Sequence, residues 1–299
     1  MYHNPVLLQA CLDGLNIQPN GTYVDVTFGG GGHSKAILEK LGPKGRLIAF
    51  DQDADALKND INDSRFQLVH SNFQFISNHL EYLKALPIDG LLADLGVSSH
   101  QFDQADRGFS IRMDGPLDMR MDQSAQQSAF EFINKADKEE LIQTFREYGE
   151  VYNAAKVASI ILAHRSKAKI QSTLELTGLL EGLVHPKERN KFLAQLFQAI
   201  RIKVNGEMEV LKALLDQSTA VLKPNGRLVV ISYHSLEDRM VKNFIKTGNT
   251  EGKEEKDLYG NSRSVFSILT NKPIVPGTEE LEANNRSRSA KLRIAEMKG

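Results

Sequence analysis

At 299 residues the chain is long for one compact domain and suits a core with an insertion. Its 37 Lys+Arg nearly cancel its 38 Asp+Glu, so a nucleic-acid partner must be met by a local basic patch, without help from the global field. Absence of an apolar run of about 18 residues and of a signal-peptide pattern excludes a helical membrane span and leads to the expectation of a soluble, cytoplasmic chain.

In chain order, a short helical stretch (Leu7–Leu15) precedes a β-rich run, Thr22–Val26, which four glycines, Gly29–Gly32, cut off. Ile37, Leu38 and Leu41 then recur at helical spacing. A strand, a tight glycine turn and a helix result. Glycine allows φ > 0 and close approach of a ligand, and the N–H groups that open a helix hold a carboxylate or phosphate. The next strand, Arg46–Phe50, ends in Asp51, an acid placed to accept from ribose hydroxyls. This pair of features specifies a nucleoside ligand, with NAD, FAD and S-adenosylmethionine (SAM) all open. Asp25, Thr27, Gly29 and Gly31 at alternate positions lean towards SAM, and Ser34 stands where a pyrophosphate loop wants glycine. The bland alternative is a glycine-rich surface turn.

Helix Ala54–Ile61, strand Phe66–Val69, helix Phe73–Leu86 and strand Ile88–Ala93 ending at Asp94 complete an alternation that demands a parallel sheet. Ligands of such sheets bind beyond the strands' carboxyl ends, where Asp25, Asp51, His70 and Asp94 all fall. From Phe102 to Gln127 periodicity is lost, which reads as an ordered or ligand-ordered loop. Helices follow at Lys138–Tyr148, Ala154–Arg165, Leu174–Leu183 and Lys191–Val204. The division expected is therefore a discontinuous core, 1–102 and 197–299, around a helical insertion, 103–196. Met208–Leu222 returns to the sheet, Pro224-Asn225-Gly226 turns, and Arg227–Ser232 is the fifth strand. After helix Leu236–Lys246 comes a polar charge run, Gly248–Asp257, expected to be a mobile loop. Phe266–Leu269 and Ala290–Ala295 bring the strands to seven.

Several residues carry possible chemistry. Asp94 ends an apolar strand where a methyl acceptor would lie, and Asp94 and Gln101 offer polar contacts to the methionine part of SAM. The small residues Gly96, Ser98 and Ser99 leave room for a planar base, although an ordinary turn would look similar. Phe73 is placed to lie against adenine, with a core phenylalanine as the alternative. The N–H of His33, with those of Gly31 and Gly32, faces the ligand at the helix start. His234 either lines an acceptor pocket or caps the helix near Leu236. In 284–299 five basic residues face one acid, Glu296, and Arg286 and Arg288 are favoured for phosphate contact. Arg165, Lys167 and Lys169 read more simply as a solvated helix end.

Thr27-Phe28-Gly29-Gly30-Gly31-Gly32-His33-Ser34, Asp94-Leu95-Gly96-Val97-Ser98-Ser99, Arg107-Gly108-Phe109-Ser110, Gly115-Pro116-Leu117-Asp118-Met119-Arg120-Met121-Asp122, Phe197-Gln198-Ala199-Ile200-Arg201, Tyr233-His234-Ser235-Leu236-Glu237-Asp238-Arg239 and Arg286-Ser287-Arg288-Ser289-Ala290-Lys291-Leu292-Arg293 together resemble the bacterial ribosomal RNA small-subunit methyltransferase H (MraW) family, from Asn4 to Glu296. The resemblance implies an α/β, class I SAM-dependent methyltransferase fold: a Rossmann-like, seven-stranded, mostly parallel sheet with an inserted all-helical domain. It implies SAM-dependent methylation of the exocyclic N4 amine of one cytidine in the decoding region of 16S rRNA, in naked RNA or the assembled 30S subunit, leaving S-adenosylhomocysteine. The family's SAM contacts carry over to Gly31, Gly32, His33, Asp51, Phe73, Asp94 and Gln101, and Arg120 joins Arg286 and Arg288 as an RNA contact. Gly30, where some members have Arg, and Tyr233, where some have Phe, depart from the pattern.

The chemistry agrees with that reading. Methylating a ring carbon of cytosine needs a covalent nucleophile, normally cysteine. Cys11, the single cysteine, lies before the first strand and outside any substrate loop; it also excludes a disulfide and argues against a cysteine-rich metal site, so no metal is expected. An exocyclic amine needs in-line positioning and an acceptor for its proton. Asp94, Ser98, Asp118 and His234 are the candidates for catalytic roles, with the acceptor near Ser98 or on Asp118. Two other readings stand beside this one: a non-catalytic, SAM-responsive nucleic-acid-binding protein, and a nicotinamide-dependent oxidoreductase. The sequence does not fix the oligomeric state, a homodimer included.

Overall fold

The computed structural model describes residues 5–254 and 264–299. They form two compact units, Met1–Gly96 with Met208–Gly299, and Val97–Glu207. In chain order the first unit contributes α1 (Leu8–Leu15), β1 (Thr22–Asp25), α2 (Gly32–Lys40), β2 (Arg46–Asp51), β3 (Phe66–His70), α3 (Ile76–Tyr82) and β4 (Ile88–Asp94). The second holds α4 (Ser99–Asp103), α5 (Ala129–Lys135), α6 (Lys138–Glu147), α7 (Ala154–Arg165), α8 (Thr173–Leu180) and α9 (Arg189–Asn205). The chain then returns through α10 (Glu207–Val221), β5 (Leu222–Ser232), α11 (Ser235–Thr247), β6 (Phe266–Ile268), α12 (Thr278–Ala283) and β7 (Lys291–Met297).

The seven strands lie in the order β3-β2-β1-β4-β5-β7-β6. Strands β1 to β5 are parallel, and β7 runs antiparallel to both its neighbours. This is the expected class I methyltransferase sheet. Residues such as Leu47-Ile48-Ala49-Phe50 form near-continuous apolar strands because helices cover both faces. Alternate side chains sort cleanly. Val24, Ile48, Phe50, Leu91 and Val230 pack with α3, α10 and α11. Tyr23, Leu47, Leu92, Val229 and Ile231 pack with α1 and α2. The strand order reverses between β1 and β4, which is where ligands of such sheets bind.

Some elements differ from expectation for local reasons. The helix expected at Ala54–Ile61 is a 3₁₀ segment, Ala54–Asn59, capped by the Asp53 side chain and ended as Asn59 turns to donate to the Gly29 carbonyl. The helix expected over Phe73–Leu86 is a 3₁₀ turn, Phe73–Phe75, followed by α3, and it ends before Lys84, whose φ is +50°. The expected turn at Pro224-Asn225-Gly226 is absorbed into β5 as an irregularity opposite Ile88 and Gly90, with Asn225 at φ +65°. Arg286 and Arg288 lie on a 3₁₀ turn, Asn285–Ser289, ahead of β7, so no strand alternation sorts them. The charge run at 248–257 is described through Glu254, and its last residues lie outside the described residues.

The helical unit has its own core, built from Phe132, Leu141, Phe145, Val157, Ile161, Leu176, Phe192 and Ile200, among others. Its limits fall wider than 103–196. Val97 and Phe102 already pack on this core, and α9 is one unbroken helix whose Leu193, Leu196, Phe197 and Ile200 all enter it. Within it, the loop without periodicity is ordered by its own polar contacts. Arg107 Nη2 donates to the carbonyls of Arg120 and Met121 at 3.0 and 3.2 Å. Asn205 at the end of α9 accepts from Met121 N–H at 2.7 Å and donates to the Met119 carbonyl at 2.8 Å.

Candidate functional site

The sheet register sets the site. Asp25 pairs with Ala49 and Leu92, so Asp51 and Asp94 each project two residues past it at the carboxyl edge. Strand side chains alternate with a period of two, so all three acids lean to one face. Their roles then separate. Asp25 is fully buried: its Oδ1 accepts from Thr27 N–H at 3.1 Å and its Oδ2 from the Ser34 hydroxyl at 2.7 Å. It ties the start of the glycine bend to the start of α2.

The bend is fastened elsewhere too. Thr27 Oγ1 accepts from the Asp94 N–H at 2.7 Å, and Asn59 Nδ2 donates to the Gly29 carbonyl at 2.9 Å. Gly29 and Gly31 have φ of +50° and +74°, and a Cβ on Gly31 would meet the Phe28 ring at 2.9 Å. A Cβ on Gly32 would strike Pro5, whereas one on Gly30 would meet nothing within 4 Å. The departure at Gly30 thus meets no obstacle among the described residues. By helix geometry the first N–H groups of α2 have no intrahelical acceptor, and they follow directly on this bend.

Asp51 accepts from Gly29 N–H and Asp53 N–H, both at 2.8 Å, one on each carboxylate oxygen. Burial nonetheless dominates, and pushes its pKa up to about 6. Each oxygen keeps a second lone pair. Asp94 is the more unusual. Its Oδ1 accepts from the Tyr233 hydroxyl at 2.7 Å, and its Oδ2 stands 3.8 Å from His33 Nδ1. Burial again dominates and lifts its pKa to about 6, against the opposing pull of His33 and of the Tyr233 hydrogen bond. The His33 ring is itself buried, with Nε2 at 3.0 Å from the Val6 carbonyl. Phe73 is half-buried where β3 runs into the 3₁₀ turn, and it rests on the sheet core.

The other candidates are engaged in contacts of their own. His234 is the N-cap of α11: its ring accepts from Glu237 N–H at 3.5 Å while Glu237 Oε2 accepts from the N–H groups of Tyr233 and His234. Of its two expected roles, the cap is the one seen. In the helical unit, Ser98 and Gln101 form a capping box at the start of α4, with Gln101 Oε1 accepting from Ser98 N–H at 2.9 Å. Asp118 is gripped by Arg120 through Nε at 2.8 Å and Nη2 at 2.6 Å, and Arg120 also donates to the Ala125 carbonyl. Burial raises the Asp118 pKa, but the Arg120 hydrogen bonds outweigh it and hold the carboxyl below its ordinary value. Arg165 spends its guanidinium on the carbonyls of Ile133 and Ala136, so it is tied to the protein rather than solvated as expected. Arg286 and Arg288 are exposed, and because Lys291 pairs with Ser232 they come just before the strand that starts at the carboxyl edge. Sequence reasoning missed Tyr233 as a partner of Asp94. The signal was its position one residue past β5, adjacent to β4 in a parallel sheet.

Comparison with known proteins decides what this edge belongs to. The profile of the MraW methylase family matches residues 1–298. The chain belongs to that family. It is 55% identical over 295 residues to ribosomal RNA small subunit methyltransferase H of Flavobacterium johnsoniae, covering 99% of this chain and 97% of the relative. It is 54% identical over 297 residues to the protein of the same name from Bacteroides thetaiotaomicron, covering 99% and 98%. The family's methyl donor is SAM, and among the described residues the edge fits it: a bend unobstructed at Gly30, a carboxylate at Asp51 with lone pairs to spare, and a second at Asp94 with one oxygen lacking a close donor. The nicotinamide alternative falls with this membership.

Proposed function

We propose that the chain methylates the exocyclic N4 amine of one cytidine in the decoding region of 16S rRNA. The relatives' name, ribosomal RNA small subunit methyltransferase H, supports small-subunit rRNA as the substrate, and a substrate of that kind supports a cytoplasmic location. The observation that carries the choice of an amine over a ring carbon is Cys11. It is wholly buried on α1, and burial together with the charges of Asp94 and Asp25 pushes its thiol pKa well up. No other cysteine exists to attack cytosine covalently.

SAM supplies an electrophilic methyl, which the amine nitrogen takes in line as it gives up its proton. The chain's part is to bind, orient and accept. The backbone N–H groups of Gly32 and His33 are assigned to the methionine carboxylate; the Gly31 N–H, expected to join them, donates instead to the Phe28 carbonyl at 2.7 Å, which leaves Gly31 the part of shaping the bend. Asp51 is assigned to the ribose hydroxyls, Phe73 to the adenine face and Asp94 to the methionine portion. The proton acceptor is left to a neutral carbonyl or to a carboxylate with a raised pKa, which Asp118, held by Arg120, is not. Arg286 and Arg288 take RNA phosphate, and the helical unit, Val97–Glu207, reads the surrounding RNA.

Incubating the protein and SAM with unmodified small subunits, then mapping the modified nucleotide, tests this. One N4-methylated cytidine in the decoding region is the expected result. Methyl on a ring carbon or on a protein, or SAM binding without any transfer, would overturn it.

A further inference from the structure

Asp94 is held by more groups than a simple ligand contact requires. Its own N–H donates to Thr27 Oγ1 at 2.7 Å, which fixes the backbone. Its Oδ1 is taken by the Tyr233 hydroxyl at 2.7 Å, a charge-assisted length. Its Oδ2 has His33 Nδ1 at 3.8 Å, too far for a hydrogen bond, although the side chain is 23% exposed. The contact of His33 Nε2 with the Val6 carbonyl requires a proton on Nε2, so in the neutral ring Nδ1 turns a lone pair towards Asp94.

The groups facing this carboxylate are His33 from α2, Tyr233 after β5, Asp25 from β1, Glu237 from α11 and Cys11 from α1. Two are acids, one is a buried thiol and one is a histidine that offers no proton when neutral. Of these groups the Tyr233 hydroxyl is the one at hydrogen-bond distance, while a charge on His33 also favours the ionised carboxylate. The hydroxyl keeps its proton, because burial and the neighbouring Asp94 charge both push its ionisation far up. We propose that Tyr233 is a positioning residue: its hydroxyl locks Asp94 Oδ1 and turns Oδ2 to the donor molecule. This rests on the assignment of Asp94 to the methionine portion of SAM, where an ammonium is the group a lone buried carboxylate oxygen suits.

The sign follows from the bond. A hydroxyl that donates to a carboxylate favours the charged form, so Tyr233→Phe raises the proton affinity of Asp94, by about one pH unit for the loss of one charge-assisted hydrogen bond. Asp51, which burial also lifts to about 6, contributes the same acid limb to both proteins and cancels.

The test is SAM affinity by calorimetry from pH 5 to 8 on the full-length protein, Tyr233→Phe and Asp94→Asn, each checked for an intact melting transition. Tyr233→Phe is expected to bind within about threefold of the parent at pH 8, to be about tenfold weaker near pH 6, and to show its acid midpoint about one unit higher. An acid limb that superimposes on the parent's, or a loss equal at every pH, would overturn the proposal. Asp94→Asn separates the two layers. If it binds SAM as the parent does at all pH values, the assignment of Asp94 fails and the proposal with it; if it loses binding while Tyr233→Phe matches the parent, only the role of Tyr233 fails.

Discussion

A carboxylate kept ready for a ligand is a burden on the protein that lacks one, and Asp94 shows this at the scale of a residue. Its pKa is raised in the fold from 3.8 to about 6. The stability it contributes is thus complete below pH 3.8 and is lost as pH rises through about 6. Asparagine does not titrate, and its amide can donate to the bare Nδ1 of His33. Asp94→Asn should therefore melt higher than the parent at pH 7.5, by about 1–2 kcal/mol or a few degrees, and the gap should close below pH 4. A calorimetric melt of the ligand-free protein across that range checks it, and equal melting at pH 7.5 would count against the burial argument. The glycines sort in the same way. Gly30→Ala should leave SAM affinity and stability nearly untouched, since its Cβ enters open space. Gly31→Ala, forced to φ +74° against Phe28, should lose about 1 kcal/mol or more of stability and weaken SAM binding. Comparing the two variants' melting and SAM titrations decides the matter.

At the scale of elements, Asn205 closes α9 by reaching to the backbone of the loop at 119–121. Asn205→Ala leaves a Met121 N–H and a Met119 carbonyl without those partners and should cost about 1–3 kcal/mol. Limited proteolysis should then cut faster between Asp103 and Gln127, while SAM affinity stays within about twofold. For the exposed pair on the turn before β7, Arg286→Glu with Arg288→Glu should flatten the slope of log affinity for RNA against log salt by about one to two. SAM binding should not change, and an unaltered slope removes both from the phosphate contact.

The same scale shows what the sequence makes legible. Strand ends were readable because a buried parallel strand is a continuous apolar run that stops at an acid, as Ile88–Asp94 does. Helix type was not, because Asn59 and Lys84 end their helices through a tertiary hydrogen bond and a positive φ, and neither leaves a periodic trace. Among the site residues, Asp51 and Asp94 follow from position alone. His234, Ser98, Gln101, Asp118 and Arg120 look equally chemical in sequence, and only the distances show them engaged in caps and an ion pair.

At the scale of the whole molecule, the βα alternation up to Asp94 and its resumption after Glu207 define a sheet whose order reverses beside β1. The helical unit's limits were hidden because α9 carries one unbroken apolar pattern across residue 196, so nothing in the sequence marks a join there. The chain leaves the sheet at the carboxyl end of β4, the same edge that holds the acids. The central claim is that this edge, with its glycine bend and two carboxylates of raised pKa, is a seat for SAM. A crystal structure of the protein with SAM or S-adenosylhomocysteine tests it most directly. The account predicts both ribose hydroxyls within hydrogen-bond distance of Asp51 and the methionine amine beside Asp94 Oδ2. Density for the nucleoside away from the glycine bend, with Asp51 touching only Gly29 and Asp53, would contradict it.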